Sequence, residues 1–278
     1  MAIFGSLDLK QALATRLITP EIEALMARVP KSTGSFGYDA WGYNEDTTKL
    51  ALAVCKLLYD KYFRVEASGL ENIPARGRLL LISNHGGQLP FDGLMIGVAA
   101  ATNPHGPRAV RGMIERFFPT VPWLGNLMNA MGGVIGDPLN CTKMLEAEEA
   151  ILVFPEGVRG SGKLYKDRYQ LQRFGTGFMY LAMHHHTPIV PLAVIGAEET
   201  MPALANLKPI AKLLGLPYFP LLPVYAPLPA RISLHFGAPL YFKGESADEA
   251  EVGDRVEQVK DAIRKLIEQG LAARQSVF

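Results

Sequence analysis

Cysteine is scarce in this chain: Cys55 and Cys141 are the two in 278 residues, and neither sits in metal-ligand spacing. A disulfide framework and a structural zinc site are excluded on that count, and a reducing compartment fits. Charge of either sign is not in excess. With 28 basic and 27 acidic side chains the net charge is +1, so the chain lacks the overall field of a nucleic-acid binder, and any electrostatic recognition must be local. Long hydrophobic runs are missing too. The helix-like stretch from Leu50 to Leu58 carries Lys56 and is followed by Asp60, Lys61 and Arg64, far short of the ~20 apolar residues of a membrane span. The opening residues, Met1 to Asp8, hold no basic region followed by a long apolar core, so no signal peptide is expected. There is no internal repeat, and no Gly-x-Ser-x-Gly elbow of the kind an α/β acyl-enzyme hydrolase needs.

What is present is ample apolar material, 49% of residues, enough for a large core in one α/β domain with an appendage. Apolar positions at helical spacing predict a helix within residues 7–28 and another from about Glu45 to Lys61, capped by Thr47 or Asp46. The stretch Pro30 to Tyr38 between them reads as a loop. Residues 1–61 therefore form a helical appendage, and the α/β domain covers 62–278, its sheet starting at Tyr62-Phe63-Arg64-Val65-Glu66. Strands are expected near 78–83, 108–114, 132–136, 150–154, 188–195 and 231–237, with helices near 92–101, 120–130, 141–149, 174–186 and 246–270. Such alternation predicts a mixed, mostly parallel sheet flanked by helices. Leu204 to Pro229 stands apart: its repeated prolines forbid one continuous helix, and its leucines and aromatics suit either a core-covering insertion or an element dipping into a bilayer interface.

Two places concentrate chemistry. In the first, the apolar run Leu79-Leu80-Leu81-Ile82 ends in Ser83-Asn84-His85-Gly86-Gly87-Gln88-Leu89-Pro90-Phe91-Asp92. A buried strand thus delivers a histidine to the carboxyl edge of a sheet, where α/β proteins place ligands, with a carboxylate at the following helix start. An imidazole there can take a proton from a hydroxyl near neutral pH while Asp92 fixes its tautomer. The blander alternative is a surface histidine beside a helix cap. In the second, Ala150 to Val153 leads into Phe154-Pro155-Glu156-Gly157-Val158-Arg159-Gly160-Ser161-Gly162-Lys163. Its glycines allow close backbone approach to a ligand, and Arg159 and Lys163 suit phosphate oxygens. Gly157 to Lys163 nearly spells a P-loop, but Leu164 stands where a magnesium-binding hydroxyl is required.

Asn84-His85 with Asp92, then Phe154-Pro155-Glu156-Gly157 with Arg159, then Pro188-Ile189-Val190-Pro191-Leu192-Ala193 with Gly196 occur in order over residues 62–240. Together they resemble the glycerolipid and lysophospholipid acyltransferase family. The resemblance implies His85 as the base that deprotonates an acceptor hydroxyl, Asp92 as its partner, and direct attack on an acyl thioester of CoA or an acyl carrier protein. It implies acceptor and phosphate contacts from Glu156, Gly157 and Arg159, with Asn84 and Lys163 beside them, and support of the acyl-donor site by Pro191. Six residues separate His85 from Asp92, more than the family usually has, so a wider loop is expected. Gly132 to Pro138 lacks the arginine with which the family usually contacts acceptor phosphate, which points to a neutral hydroxyl such as a diacylglycerol, a long-chain alcohol or another lysolipid.

The expected protein is a cytoplasmic, peripherally membrane-bound O-acyltransferase without metal or resident cofactor. The alternative is a non-catalytic lipid- or acyl-CoA-binding protein on the same fold. Phe117 to Trp123 is a second candidate membrane contact beside the 204–229 segment. Consecutive His184, His185 and His186 point about 100° apart on a helix and cannot readily share an ion, so they are read as a helix end before Pro188.

Overall fold

A computed structural model describes residues 16–29, 34, 36–121, 123–244 and 248–278. Nine strands are numbered in chain order: β1 (Glu66–Ser68), β2 (Leu79–Ser83), β3 (Val110–Ile114), β4 (Val134–Ile135), β5 (Ala150–Val153), β6 (Ile189–Ile195), β7 (Ala205–Asn206), β8 (Pro220–Leu221) and β9 (Ser233–Phe236). Seven form the main sheet in the order β1-β9-β6-β2-β5-β3-β4, with every pairing parallel except β6 with β9. The mixed, mostly parallel sheet expected from the alternation is therefore the architecture found.

Why β2 lies at the centre is visible in its side chains. Leu79 and Leu81 point into one core and Leu80 and Ile82 into the other, so a continuous apolar run is what a strand covered on both faces needs. Each fully buried leucine stabilises the fold by about 1.5–3 kcal/mol relative to exposure. On the first face pack α1 (Pro20–Arg28), α2 (Glu45–Leu57) and α3 (Phe91–Ala101). On the second pack α5 (Pro138–Glu146), α7 (Gly177–His184) and α10 (Glu249–Ala273). The long α10 directs Val252, Val256, Val259, Ile263 and Ile267 inward at helical spacing, and the Asp248 carboxylate caps it through the N–H of Ala250 at 2.9 Å. Between these lie α4 (Leu124–Ala130), α6 (Val158–Ser161), α8 (Ala197–Thr200) and α9 (Lys208–Leu214).

Several local expectations need correction. The cap of α2 is Asn44, neither Thr47 nor Asp46: Asn44 is extended, and its Oδ1 accepts the N–H of Thr47 at 2.9 Å. The chain does not enter the sheet at Tyr62. Leu58 to Tyr62 form a π turn, Arg64 takes a φ of +45°, and pairing begins only at Glu66. The N-terminal segment is helical over Pro20–Arg28 and Glu45–Leu57 with a non-helical stretch at 36–44, and its Ile22, Met26, Leu52, Ala53 and Cys55 share one core with the sheet. Arg111 of β3 secures it further, pairing with Asp39 at 2.5 Å and with Glu149 at 2.9 Å beneath the rings of Trp41 and Tyr43. Residues 7–15 of the first expected helix, 30–33 and 35 of the loop, and 246–247 of the last helix lie outside the described residues. The prolines of 204–229 do divide that segment: β7 and β8 make a small antiparallel pair around α9, which ends at Gly215 in the left-handed conformation.

Candidate active site

His85 stands two residues past the end of β2, and Asp92 stands in the first turn of α3. The wide loop between them closes on itself. His85 Nδ1 lies 2.5 Å from Asp92 Oδ2, the Gly86 N–H donates to the same oxygen at 3.1 Å, and the Gly93 N–H donates to Oδ1 at 2.7 Å. Glycine is required at this turn. Gly87 has a φ of +84°, and a Cβ on Gly86 would come within 2.4 Å of Glu198 Cγ. The fully buried Asp92 carboxylate can accept the Nδ1–H hydrogen bond, which leaves Nε2 as the basic edge of the ring. Phe154 stacks on the imidazole, with centroids 4.2 Å apart. Burial opposes charge on His85, but the adjacent Asp92 charge and hydrogen bond, with Glu156 behind them, outweigh it, and its pKa rises above the ordinary 6.5.

The loop after β5 places its residues differently from the sequence expectation. Glu156 is fully buried: its Oε1 accepts the N–H of His85 at 2.9 Å, and its Oε2 accepts the N–H of Gln172 at 2.7 Å. Lys163, expected at substrate, is turned inward instead, with Nζ 2.6 Å from Glu198 Oε1 and 3.6 Å from Glu156 Oε2. A buried ammonium needs such partners, and once held by them it is not offered to a ligand phosphate. Gly157, with φ +55°, reaches the site, and Arg159 is exposed and lines a separate polar pocket with Gln172 and Asn206, its Nη2 donating to the Arg173 carbonyl at 3.1 Å. Gly160 backs His85 so closely that a Cβ there would lie 2.8 Å from His85 Cβ.

Asn84 and Pro191 are scaffold. The Asn84 amide exchanges two hydrogen bonds with the backbone of Val194, at 2.9 and 2.8 Å, fixing the end of β2 to β6. Pro191 is paired with Ile82 inside the sheet and packs near Gly237 and Leu266; it does not line the cavity beside His85.

That cavity, about 400 Å³, is walled mainly by apolar side chains. His85, Phe154, Gly157 and Tyr218 line it together with Leu94, Gly97 and Val98 of α3, Leu52 and Cys55 of α2, Met26 of α1, and Met128 and Met131. Its size and lining suit a hydrocarbon chain. Sequence reasoning missed Phe154 as the stacking partner, Tyr218 as a wall contributed by the 204–229 segment, and Glu198. For Glu198 a signal was present: an acidic pair, Glu198-Glu199, directly follows the apolar strand β6, as Glu156 follows β5. Among the described residues no three His, Cys, Asp or Glu side chains are placed to hold a metal ion, and the His184 and His185 rings stand at 88° to each other.

The His85–Asp92 pair thus stands at the carboxyl end of a central parallel strand and opens on an apolar cavity. The Acyltransferase family model matches residues 64–195, which include both motif loops and β6, and the chain belongs to that family. The Mycobacterium tuberculosis protein called "Uncharacterized protein Rv0502" is 34% identical over 260 residues, covering 88% of this chain and 73% of that one. The "DGAT1/2-independent enzyme synthesizing storage lipids" of Bos taurus is 25% identical over 205 residues, 73% of this chain and 59% of the bovine one. The crystal structure of the 1-acyl-sn-glycerophosphate acyltransferase PlsC from Thermotoga maritima shares the fold at a TM-score of 0.57 and 17% identity, covering 99% of this chain and all of that one.

Proposed function

We propose that the protein transfers a fatty acyl group from a thioester of CoA or acyl carrier protein to the hydroxyl of a lipid. The observation that carries this reading is the His85–Asp92 pair at 2.5 Å, set at the wall of a 400 Å³ apolar cavity. His85 Nε2 takes the hydroxyl proton as the acceptor oxygen attacks the thioester carbonyl. Asp92 stabilises the resulting imidazolium. The C–S bond then breaks, and the thiolate leaves with the proton returned from His85. Arg159, exposed on the short helix after Gly157, is assigned to phosphate groups of the donor or to the developing oxyanion. Glu156 and Asn84 hold the two loops in place, Gly157 gives the acceptor close access, and Pro191 supports the strand behind the site. The donor is a substrate, so no resident cofactor is assigned.

The acceptor is read as a neutral hydroxyl or a lysolipid without a phosphomonoester. Support comes from the turn at β4, where Asp137 caps α5 and pairs with Arg116, and from Glu115, which lines the cavity near Gly157. The relative named for storage-lipid synthesis fits the same choice.

Peripheral attachment to the cytoplasmic face of a membrane is part of this reading, and two apolar borders support the attachment. Trp123 is 87% exposed with Leu127 beside it, and Leu213 is 85% exposed on α9 with Ile210, Leu214 and the cationic Lys208 and Lys212. Among the described residues no helix is long and apolar enough to cross a membrane. Replacing Trp123, Leu213 and Leu214 by serine is expected to reduce cosedimentation with anionic liposomes; unchanged binding sinks this part of the reading.

The central test is acyl transfer from a radiolabelled long-chain acyl-CoA to a panel of lipid acceptors in mixed micelles, wild type against His85→Ala. Product that disappears in the variant supports the proposal and names the acceptor. Acyl-CoA binding without turnover, in either protein, would favour the lipid-binding alternative.

A further inference from the structure

Beneath the His85 turn lie three buried charges that no step of the transfer uses. Lys163, Glu156 and Glu198 have side chains 4%, 0% and 6% exposed. Lys163 Nζ lies between the two carboxylates, and each carboxylate meets a different residue of the turn. Glu156 accepts the N–H of His85. Glu198 presses so near Gly86 that a side chain there has no room. The far oxygens of the same carboxylates hold the following loop, Glu156 through the N–H of Gln172 and Glu198 through that of Tyr169. One ammonium therefore ties the turn that carries the base to the loop after β5 and to α8.

We propose that Lys163 and Glu198 are positioning residues for acyl transfer: their ion pair, through Glu156, fixes the His85–Gly86 turn and so holds the imidazole against Asp92 at the cavity wall. This rests on reading His85 as the base. Removal of the ammonium leaves two carboxylates of like charge in a desolvated space, which must separate or take up a proton; burial already pushes Glu198 above the usual carboxylate range, and Lys163 opposes that. Either response moves a wall of the turn. Lys163 also acts on His85 directly, since its positive charge disfavours the imidazolium while Asp92 and Glu156 favour it. The other charged or titratable groups around the site are Glu198 behind Gly86 and, lining the cavity, Glu115, Tyr218, Tyr43, Cys55, Arg108 and Arg111, the last paired with Asp39 and Glu149.

The full-length protein would be compared with Lys163→Met, Lys163→Arg and Glu198→Gln. Steady-state kinetics would be measured across pH, and the His85 ring titration would be followed by NMR without substrate. Lys163→Met is expected to lower kcat roughly tenfold or more with little change in either KM, as misorientation of a reacting group does. Its acid limb and its ring titration should both move to higher pH. Lys163→Arg, which keeps the charge, should retain the limb and much of kcat, and Glu198→Gln should lower kcat without raising KM. A raised KM for the acyl donor or acceptor at unchanged kcat would overturn the proposal, because Lys163 would then be a substrate contact. So would a ring titration that Lys163→Met leaves in place. Should Lys163→Met fail to fold, an unaltered kcat in Glu198→Gln is enough to reject it. An inactive wild type whose ring titration still responds to Lys163 would instead break the acyl-transfer reading and leave the clamp standing.

Discussion

The loops leaving β2 and β5 depart from adjacent parallel strands at the same edge of the sheet, and in sequence they look alike: an apolar run, then glycines and charges. Their polar side chains have opposite fates. The first loop bends so that His85 lines the cavity, and its one carboxylate serves that ring. The second turns Glu156 and Lys163 away from the cavity and uses them to brace the first, leaving Gly157 at the cavity wall and Arg159 facing outward. The difference follows from where partners exist. Glu156 meets two backbone N–H groups and an ammonium in the interior, while Arg159 finds only a carbonyl at the surface.

The sharpest way to break this comparison is to remove one side chain from each loop. His85→Ala is expected to cost about 10²–10⁴-fold in kcat/KM, the usual worth of a general base, with a melting temperature near wild type. Glu156→Ala is expected to lose activity through the fold instead. It strands the part-buried N–H groups of His85 and Gln172, at up to about 1–3 kcal/mol each, and should appear first as a lowered denaturation midpoint. A stable Glu156→Ala with a raised acceptor KM would place Glu156 at substrate and erase the distinction between the loops.

The strands and the base were legible in sequence because both depend on local pattern. Leu79 to Ile82 is apolar on both faces, and His85 stands one step past its polar end. What could not be read was which charges are inside. Lys163 in a glycine-rich loop has the composition of a solvated turn, and only the arrival of Glu198 from beyond β6 supplies the partner that buries it. Tyr218 reaches the cavity from a segment whose prolines say where helices cannot run and nothing about what they cover. The wide His–Asp loop was likewise undecidable from spacing, since its closure depends on three donors meeting one carboxylate, two of them glycine N–H groups with no side-chain signature.

A milder perturbation sharpens the electrostatic side of the comparison. In the wild type, the raised pKa of His85 means that the free base forms only as pH climbs above the ordinary value of 6.5, so kcat/KM should rise with pH along a limb centred above it. Asp92→Asn removes the charge that raises the pKa and leaves burial, which lowers it. The limb should therefore move to lower pH while the plateau falls, because the neutral amide stabilises the imidazolium less. Binding of acyl-CoA, measured by calorimetry, should be little changed. A limb that stays in place would mean that a group other than His85 titrates in the rate.

The smallest expected effect concerns the cavity wall facing both loops. Gly97, in the second turn of α3, lines the cavity, and a Cβ built there meets nothing within 4 Å. Its backbone is helical, so a side chain adds no strain, and replacing an interior helical glycine stabilises by about 0.5–1 kcal/mol. Gly97→Leu should therefore melt no lower than wild type and project its isobutyl group into the space assigned to the acyl chain. Each methylene excluded from an apolar wall is worth about 0.8 kcal/mol, so the variant should favour shorter thioesters by up to about fourfold per carbon while the pH limb of His85 stays put. An unchanged chain-length preference would show that the acyl chain lies elsewhere, and would leave this cavity to the acceptor.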